Sequence, residues 1–432
     1  MAFRLNKGCT LVDRKLLWFR QCLTRAQVTA RSAPWVQPIP KAMGLLYEAL
    51  AAERDEYTGS EQRRFVESVK LYGRLFHLVE RSVGVRVPHY LLRPLSRLLE
   101  SVYFQDKPPS LAFAAMDVQF NYCADSFLGP ALLSDCLLLG ADPNEVPSEL
   151  SRLAVVGVPA GDEDDALQHC LVAHELGHVV LSFAGLEPPR MDIHNPKVDA
   201  ESDEHLSNWP TELACDVLGI HMVGPAFLLA LRRRIPQYEP SRSHPSTNLR
   251  SLACMWAMEA FGGRRFSTYL RTAIRGVSDG GKTALQSAVA RECQDRPYTL
   301  LNFRECLRKF IRTVRHRFGA GPGCAGDVLQ TEEPRDTQPV EALLHYVPPA
   351  HGQCNGDRRT GEVRQVPHPL GTIWLAGWLV ESDQELWADF IRPFPEEQRS
   401  AGEPQRRLSL LVAKAIEAAD ILQRMAGGAT DA

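Results

Sequence analysis

No stretch of about 18 uncharged apolar residues occurs in this 432-residue chain, so hydropathy offers no bilayer-spanning helix. The apolar runs at 131–140, 223–231 and 370–380 are all too short. No CxxC pair occurs among the eleven cysteines, which scatter from Cys9 to Cys354 in odd number. That argues against a disulfide scaffold and fits a reducing compartment. Nor is there an excess of positive charge. The 49 Lys and Arg against 52 Asp and Glu leave a net −3, without the basic field of a nucleic-acid binder. The first fifty residues do carry eight Lys or Arg (Arg4, Lys7, Arg14, Lys15, Arg20, Arg25, Arg31 and Lys41) against Asp13 and Glu48. No apolar run or small-residue cleavage site follows them, so the reading is a cytoplasmic protein with a basic arm rather than a secreted one. No internal repeat is present.

What is present is ordinary globular material: 44% hydrophobic and 23% charged residues, enough for a sizeable core. The length suggests two or three domains at about 150 residues each, or one elaborated domain. Residues 1–40, ending in Pro34, Pro38 and Pro40, read as the basic arm. Helical spacing follows over 44–99, as in Phe65-Val66-Val69-Leu71-Leu75-Phe76. Weak alternation over 111–123 and the apolar run at 153–158, closed by Pro159 and Gly161, mark strands. Asp162, Glu163, Asp164 and Asp165 then offer caps and dipole-matching charge for a helix of about twenty residues ending near Gly185. Further helices are expected from Pro210, at 225–234 and 249–262, and in parts of 281–318. Residues 319–372, rich in Gly, Pro, Asp, Gln and Arg, read as a loop or linker, and 373–432 as a C-terminal helical segment. The main domain would be 41–318. The fold class is α+β, predominantly α-helical, with a small sheet.

Chemistry concentrates in Val172-Ala173-His174-Glu175-Leu176-Gly177-His178. Residues four apart share a helix face, so His174 and His178 can reach one zinc ion. Glu175 lies a step around the helix, where a general base belongs, close to a metal-activated water but not a ligand. Composition alone would produce about 0.03 such HExxH matches in the chain. The metzincin continuation is absent, since its positions hold Leu181 and Ala184. Thirty-four residues after His178, Glu212 and Asp216 stand four apart on the next expected helix. One carboxylate can ligate the metal and the other can accept the N–H of a ligand histidine. His205 is an alternative third ligand, but it lacks a helical frame. The third element is His244-Pro245-Ser246-Thr247-Asn248-Leu249-Arg250. There a histidine at a proline-rigidified helix entrance can donate to an oxyanion, and Arg250 can pair with an acid near the site.

The ordered triple resembles the gluzincin metallopeptidases, and within them the CAAX-prenyl-protease and HtpX-like family, without that family's transmembrane helices. The likeness covers about residues 153–252. It implies a zincin-like core around an HExxH active-site helix and one Zn2+ per chain held by His174, His178 and Glu212. It further implies Glu175 as base, Asp216 orienting a ligand, and His244 assisting the oxyanion. The activity implied is hydrolysis of peptide bonds in a peptide or protein substrate by a zinc-activated water.

Other expectations follow from the residues around the motif. The strand at 153–158 reads first as plain scaffold, though a strand edge there could bind an extended substrate. Residues 160–216 hold thirteen acids (among them Asp192, Asp199, Glu201, Asp203 and Glu204) against Arg190 and Lys197, a field that would favour basic peptides. Arg232, Arg233 and Arg234 suit a helix C-terminus. Cys170 and Cys215 read as core packing. The alternative function is a regulatory or binding protein on the same fold, similar to the ImmA/IrrE type, or one with a latent site. The long segment after 319 would favour an interaction role, with a protein partner reached through the C-terminal helices. A nucleic-acid role for the arm, which bears Phe3, Trp18, Phe19 and Trp35, has no recognised module behind it.

Overall fold

In the computed structural model the residues described are 10–54, 60–83, 87–116, 122–190, 208–235, 244–262, 281–293, 299–324, 329, 331, 333, 335, 337–354 and 364–428. The structure is mostly helical, 74% of it, with a three-stranded sheet, in line with a mainly helical α+β class. Among the described residues no helix is long and apolar enough to cross a membrane. The chain gathers into two compact units, one of Met1–Leu92 with Phe104–Gly161 and one of Arg93–Tyr103 with Asp162–Ala432.

In the first unit, α1 (Leu11–Thr29) opens with a capping box. The Thr10 hydroxyl accepts from Asp13 N, and the Asp13 carboxylate accepts from Thr10 N. Val12, Leu16, Phe19, Leu23 and Ala26 recur at helical spacing and are all buried. Packing them against α2 (Pro38–Ala52) and α3 (Ser60–Val83) stabilises the unit by about 1.5–3 kcal/mol for each large side chain. This corrects the expected arm: its described part is a packed helix, because its charges line only one face. Phe19 is wholly buried and Trp18 and Trp35 pack on the same core, so these rings are spent on packing.

The sheet has the order β1-β3-β2. β1 (Ser110–Met116) runs parallel to β3 (Leu153–Pro159), while β2 (Cys123–Asp125) pairs with β3 antiparallel. Every residue of β3 is buried, as its unbroken apolar run demands. β3 is therefore the central strand, paired with β1 along its whole length and with β2 at Val155–Gly157, which fits the scaffold reading of this strand rather than a substrate edge. Helix α5 (Leu128–Leu138) completes the unit, and α4 (His89–Leu98) carries the chain across to the second.

Among the described residues the second unit is helical apart from a hairpin. Its helices are α6 (Val172–Phe183), α7 (Trp209–Val223), α8 (Pro225–Arg234), α9 (Thr247–Gly262), α10 (Gly281–Glu292), α11 (Leu300–Phe318), α12 (Gln338–Leu344), α13 (Leu370–Ser382), α14 (Gln384–Ile391), α15 (Glu396–Ser400) and α16 (Glu403–Gly428). β4 (His351–Cys354) and β5 (Arg364–Pro367) form the hairpin. The segment expected as linker thus contains α12, the hairpin and the start of α13. Two helices are buried all round, α13 over the almost wholly apolar 371–380 and α7 over 212–223, where Glu212, Asp216 and His221 are the polar exceptions in an otherwise apolar run. The Trp374 indole N–H donates to Ala166 O at 2.8 Å, and α16 packs on α13. The C-terminal helices accordingly belong to the same core as the HExxH helix.

The entry to α6 differs from expectation. Gln168–Leu171 form a 3-10 turn, and the cap residue Leu171 makes no side-chain cap. Two of the acids upstream also reach another helix end. Asp162 pairs with Arg234 at 2.8 Å and Asp165 with Arg233 at 3.2 Å, both arginines in the last turn of α8. Asp165 does both jobs: its Oδ1 accepts from Gln168 N at 3.3 Å in the turn that opens α6, as the sequence suggests, while Oδ2 takes Arg233; only Asp162 is drawn away to Arg234.

Candidate metal centre

α6 and α7 lie against each other at Gly177. A Cβ at this position would stand 2.8 Å from Cys215 Cα and 3.2 Å from Cys215 O, inside any van der Waals contact. The glycine within the motif is what lets α7 approach closely enough for Glu212, three residues before Cys215, to face the histidines of α6. Sequence reasoning passed over Gly177, although a glycine inside a periodic apolar helix is itself a sign of close backbone approach.

Across that crossing three ligand groups converge. His174, His178 and Glu212 each offer one ligand atom, and these atoms lie within 4.8 Å of one another. His174 Nε2 is 3.1 Å from Glu212 Oε2, and His178 Nε2 is 3.7 Å from Glu212 Oε1. A tetrahedral shell with bonds of about 2.1 Å has edges of about 3.4 Å, so these two separations bracket one shell. The three groups could hold a metal ion.

The other nitrogen of His174 is held from behind. Its Nδ1–H donates to Asp216 Oδ1 at 2.9 Å. Asp216 in turn accepts two bonds from Arg250, Nε to Oδ2 at 2.8 Å and Nη2 to Oδ1 at 2.7 Å. This fork geometry is the strong form of a carboxylate–guanidinium pair. Both partners are buried, Asp216 completely. The chain from Arg250 through Asp216 fixes the ring orientation and tautomer of His174, leaving Nε2 to face Glu212 and His178. Phe227 of α8 lies parallel to the His174 ring, with centroids 6.4 Å apart.

The electrostatics follow from this packing. Burial alone would lower the His174 pKa, but hydrogen bonds to Asp216 and Glu212 outweigh it and push the value up to about 10. Burial and the neighbouring His174 charge bring His178 down to about 4. Glu212 falls to about 2: burial opposes ionisation, and the bond to His174 with the surrounding histidines overcomes it. Asp216 is likewise lowered against its burial by Arg250. Glu175 goes the other way, raised to about 7 chiefly by burial. Its carboxyl meets no hydrogen-bond donor among the described residues.

His244 stands at the open side, its Nε2 3.4 Å from Glu212 Oε2 and its side chain 42% exposed. Pro245 and Ser246 link it to α9, whose first turn Ser246 caps by accepting from Leu249 N at 3.1 Å. The structure thus brings His174, Glu175, His178, Glu212, Asp216, His244 and Arg250 together in one unit. His205, Asp192, Asp199, Glu201, Asp203 and Glu204 lie outside the described residues. Of the remaining acids, Asp162 and Asp165 are matched by arginines and lend little to a negative field. Cys170 and Cys215 are fully buried, as packing residues would be. Comparison of the chain with protein-family models, curated proteins and solved structures finds no match.

Proposed function

We propose that this chain is a zinc metallopeptidase of the gluzincin type, with a zincin-like core built on α6 and α7. What carries the reading is the convergence of two histidines and one glutamate, backed on His174 by Asp216 and Arg250, beside a buried glutamate that is not a ligand. Two histidines and a carboxylate form a donor set of catalytic zinc, which leaves one position open. Zinc bound there would supply Lewis-acid polarisation of the scissile carbonyl and acidification of a water molecule.

The protein's own residues carry the protons. Glu175, raised to about 7 by burial, sits near the pH at which a base can both take a proton from water and return it to the leaving amine. Arg250 and Asp216 keep the His174 ring from turning away during that exchange. His244 has an N–H to offer the oxyanion from the open side, where a substrate carbonyl can reach it. A structural metal site has no use for a carboxyl left without hydrogen-bond donors beside its ligands.

The test is zinc content by elemental analysis, with turnover of an internally quenched peptide library. One zinc per chain is expected, lost in His174→Ala and in Glu212→Ala. Glu175→Gln should retain zinc and fold while losing turnover. Zinc kept by Glu212→Ala alone would move the third ligand to His205. Protein that binds zinc tightly and cleaves nothing would favour the regulatory reading, in which the well-covered site serves binding.

A further inference from the structure

α10 ends on a residue that the mechanism above does not use. Glu292 Oε2 accepts from the Ser246 hydroxyl at 2.5 Å, and Glu292 Oε1 lies 3.3 Å from Asn248 Nδ2 as its acceptor. Both donors belong to the first turn of α9. Ser246 is 2% exposed, so its single hydroxyl proton goes to Glu292 while its lone pair receives Leu249 N. Its carbonyl accepts the first helical bond, from Arg250 N at 3.0 Å. Every polar group of Ser246 beyond its own N–H is thereby committed, and its rotamer is fixed.

Two residues upstream is His244. Pro245 locks its own φ and restricts His244 to extended backbone, so the dipeptide behaves as a short stiff arm pivoting on Ser246. Four residues downstream is Arg250, whose fork on Asp216 fixes the other end of the same turn. The carboxylate of Glu292 also stands at the helix N-terminus, where the macrodipole favours negative charge.

We propose that Glu292 is a positioning residue for His244: it clamps Ser246 and thereby sets where the His244 imidazole stands over Glu212. This rests on the reading of His244 as the oxyanion donor. Nothing in the ligand set depends on Glu292, since His174, His178 and Glu212 lie on α6 and α7. Its removal should leave metal binding intact and loosen His244 alone.

The experiment compares Glu292→Ala and Glu292→Gln with wild type, all zinc-loaded, by NMR of 13C-labelled histidine rings and by chelator competition for Zn2+. In Glu292→Ala the His244 cross-peak should shift and broaden. The His174 and His178 peaks should hold, and zinc affinity should stay within about twofold, the contact being remote from the ligands. Glu292→Gln, which keeps an acceptor for the Ser246 hydroxyl, should return the His244 peak towards wild type. A general loss of packing would move all three histidines together and would not be rescued by glutamine. An unmoved His244 peak in a folded Glu292→Ala protein overturns the proposal. Where the peptide library is turned over, Glu292→Ala should lower kcat about tenfold with KM unchanged and add nothing to His244→Ala, as residues acting as one unit do. An additive loss in that background also overturns it. If wild type turns over no peptide, the peptidase reading fails, and the NMR arm still decides the role of Glu292.

Discussion

Replacing Gly177 with alanine adds one methyl group at the crossing of α6 and α7, and the structure determines what that methyl meets. The new Cβ would lie 2.8 Å from Cys215 Cα, 3.0 Å from Cys215 Cβ and 3.2 Å from Cys215 O. Carbon atoms at rest stand about 3.5–4.0 Å apart, so α7 must retreat by about 0.5–1 Å. The obstacle is the backbone of a helix buried all round, which no side-chain rotation can relieve. Alanine is worth about 1 kcal/mol over glycine within a helix, whereas overpacking of this kind costs about 1–3 kcal/mol. The two nearly offset each other in stability. The metal site has no such compensation, because ligand distances tolerate only about 0.2 Å and Glu212 rides on the helix that moves. Zinc affinity should fall about 10–100-fold, or about 1.4–2.7 kcal/mol. Competition with a chromophoric chelator measures this directly. Gly44 provides the control: it too lies within a helix, α2, but nothing stands within 4 Å of its would-be Cβ. Gly44→Ala should therefore raise stability by about 0.5–1 kcal/mol with zinc affinity unchanged. Wild-type zinc affinity in Gly177→Ala would refute the idea that this close approach sets the ligand geometry.

Further outcomes follow from the same geometry. Arg250→Ala leaves the Asp216 carboxylate buried without its partner and should cost about 3–5 kcal/mol by urea unfolding. Arg250→Lys, lacking the planar fork, should recover only part of it, and full recovery would argue against the bidentate pair. In the metal-free protein His174 is protonated below about 10, so a metal ion must displace that proton to bind. Zinc affinity should accordingly fall as pH drops from about 10 towards neutrality, tenfold per unit. At pH 8, calorimetry in buffers of different ionisation enthalpy should register about one proton released from His174, and no proton uptake by the buffer would contradict the two carboxylate bonds to His174.

The pieces of the site were legible because each is a local spacing. His174 to His178 and Glu212 to Asp216 are one helical turn each, and the step from Ser246 to Arg250 is set by the first turn of α9. The helices themselves, α7, α8 and α9 above all, follow from apolar runs of helical length punctuated by Pro and Gly rather than from an amphipathic period, since α7 and α9 are buried on nearly every face. What escaped was set by partners distant in sequence. Asp162 looked like a cap for the following helix, yet Arg234, 72 residues on, draws it elsewhere, and Asp165 caps as expected while also reaching Arg233. The run at 153–158 read correctly as a strand, but its hydrogen-bonding edges depend on β1 and β2, which periodicity cannot assign. The role of Glu292 depends on a hydrogen bond spanning 46 residues.

The bond from the Trp374 indole to Ala166 joins residues 208 apart, and it ties the last third of the chain to the turn that leads into α6. Contacts of such sequence separation form late, because loop closure must precede the packing that rewards it. During synthesis the HExxH segment therefore leaves the ribosome long before the helix that supports its base. At about 5–20 residues per second, α13 arrives about ten to forty seconds later. Through that interval the turn before the motif lacks its bond to Trp374. A chain cut short near 369 would keep the ligands and the Asp216–Arg250 backing but lose the Trp374 bond and the packing of α13 on α7 and α8, so its metal centre would stand on a helix with one face uncovered.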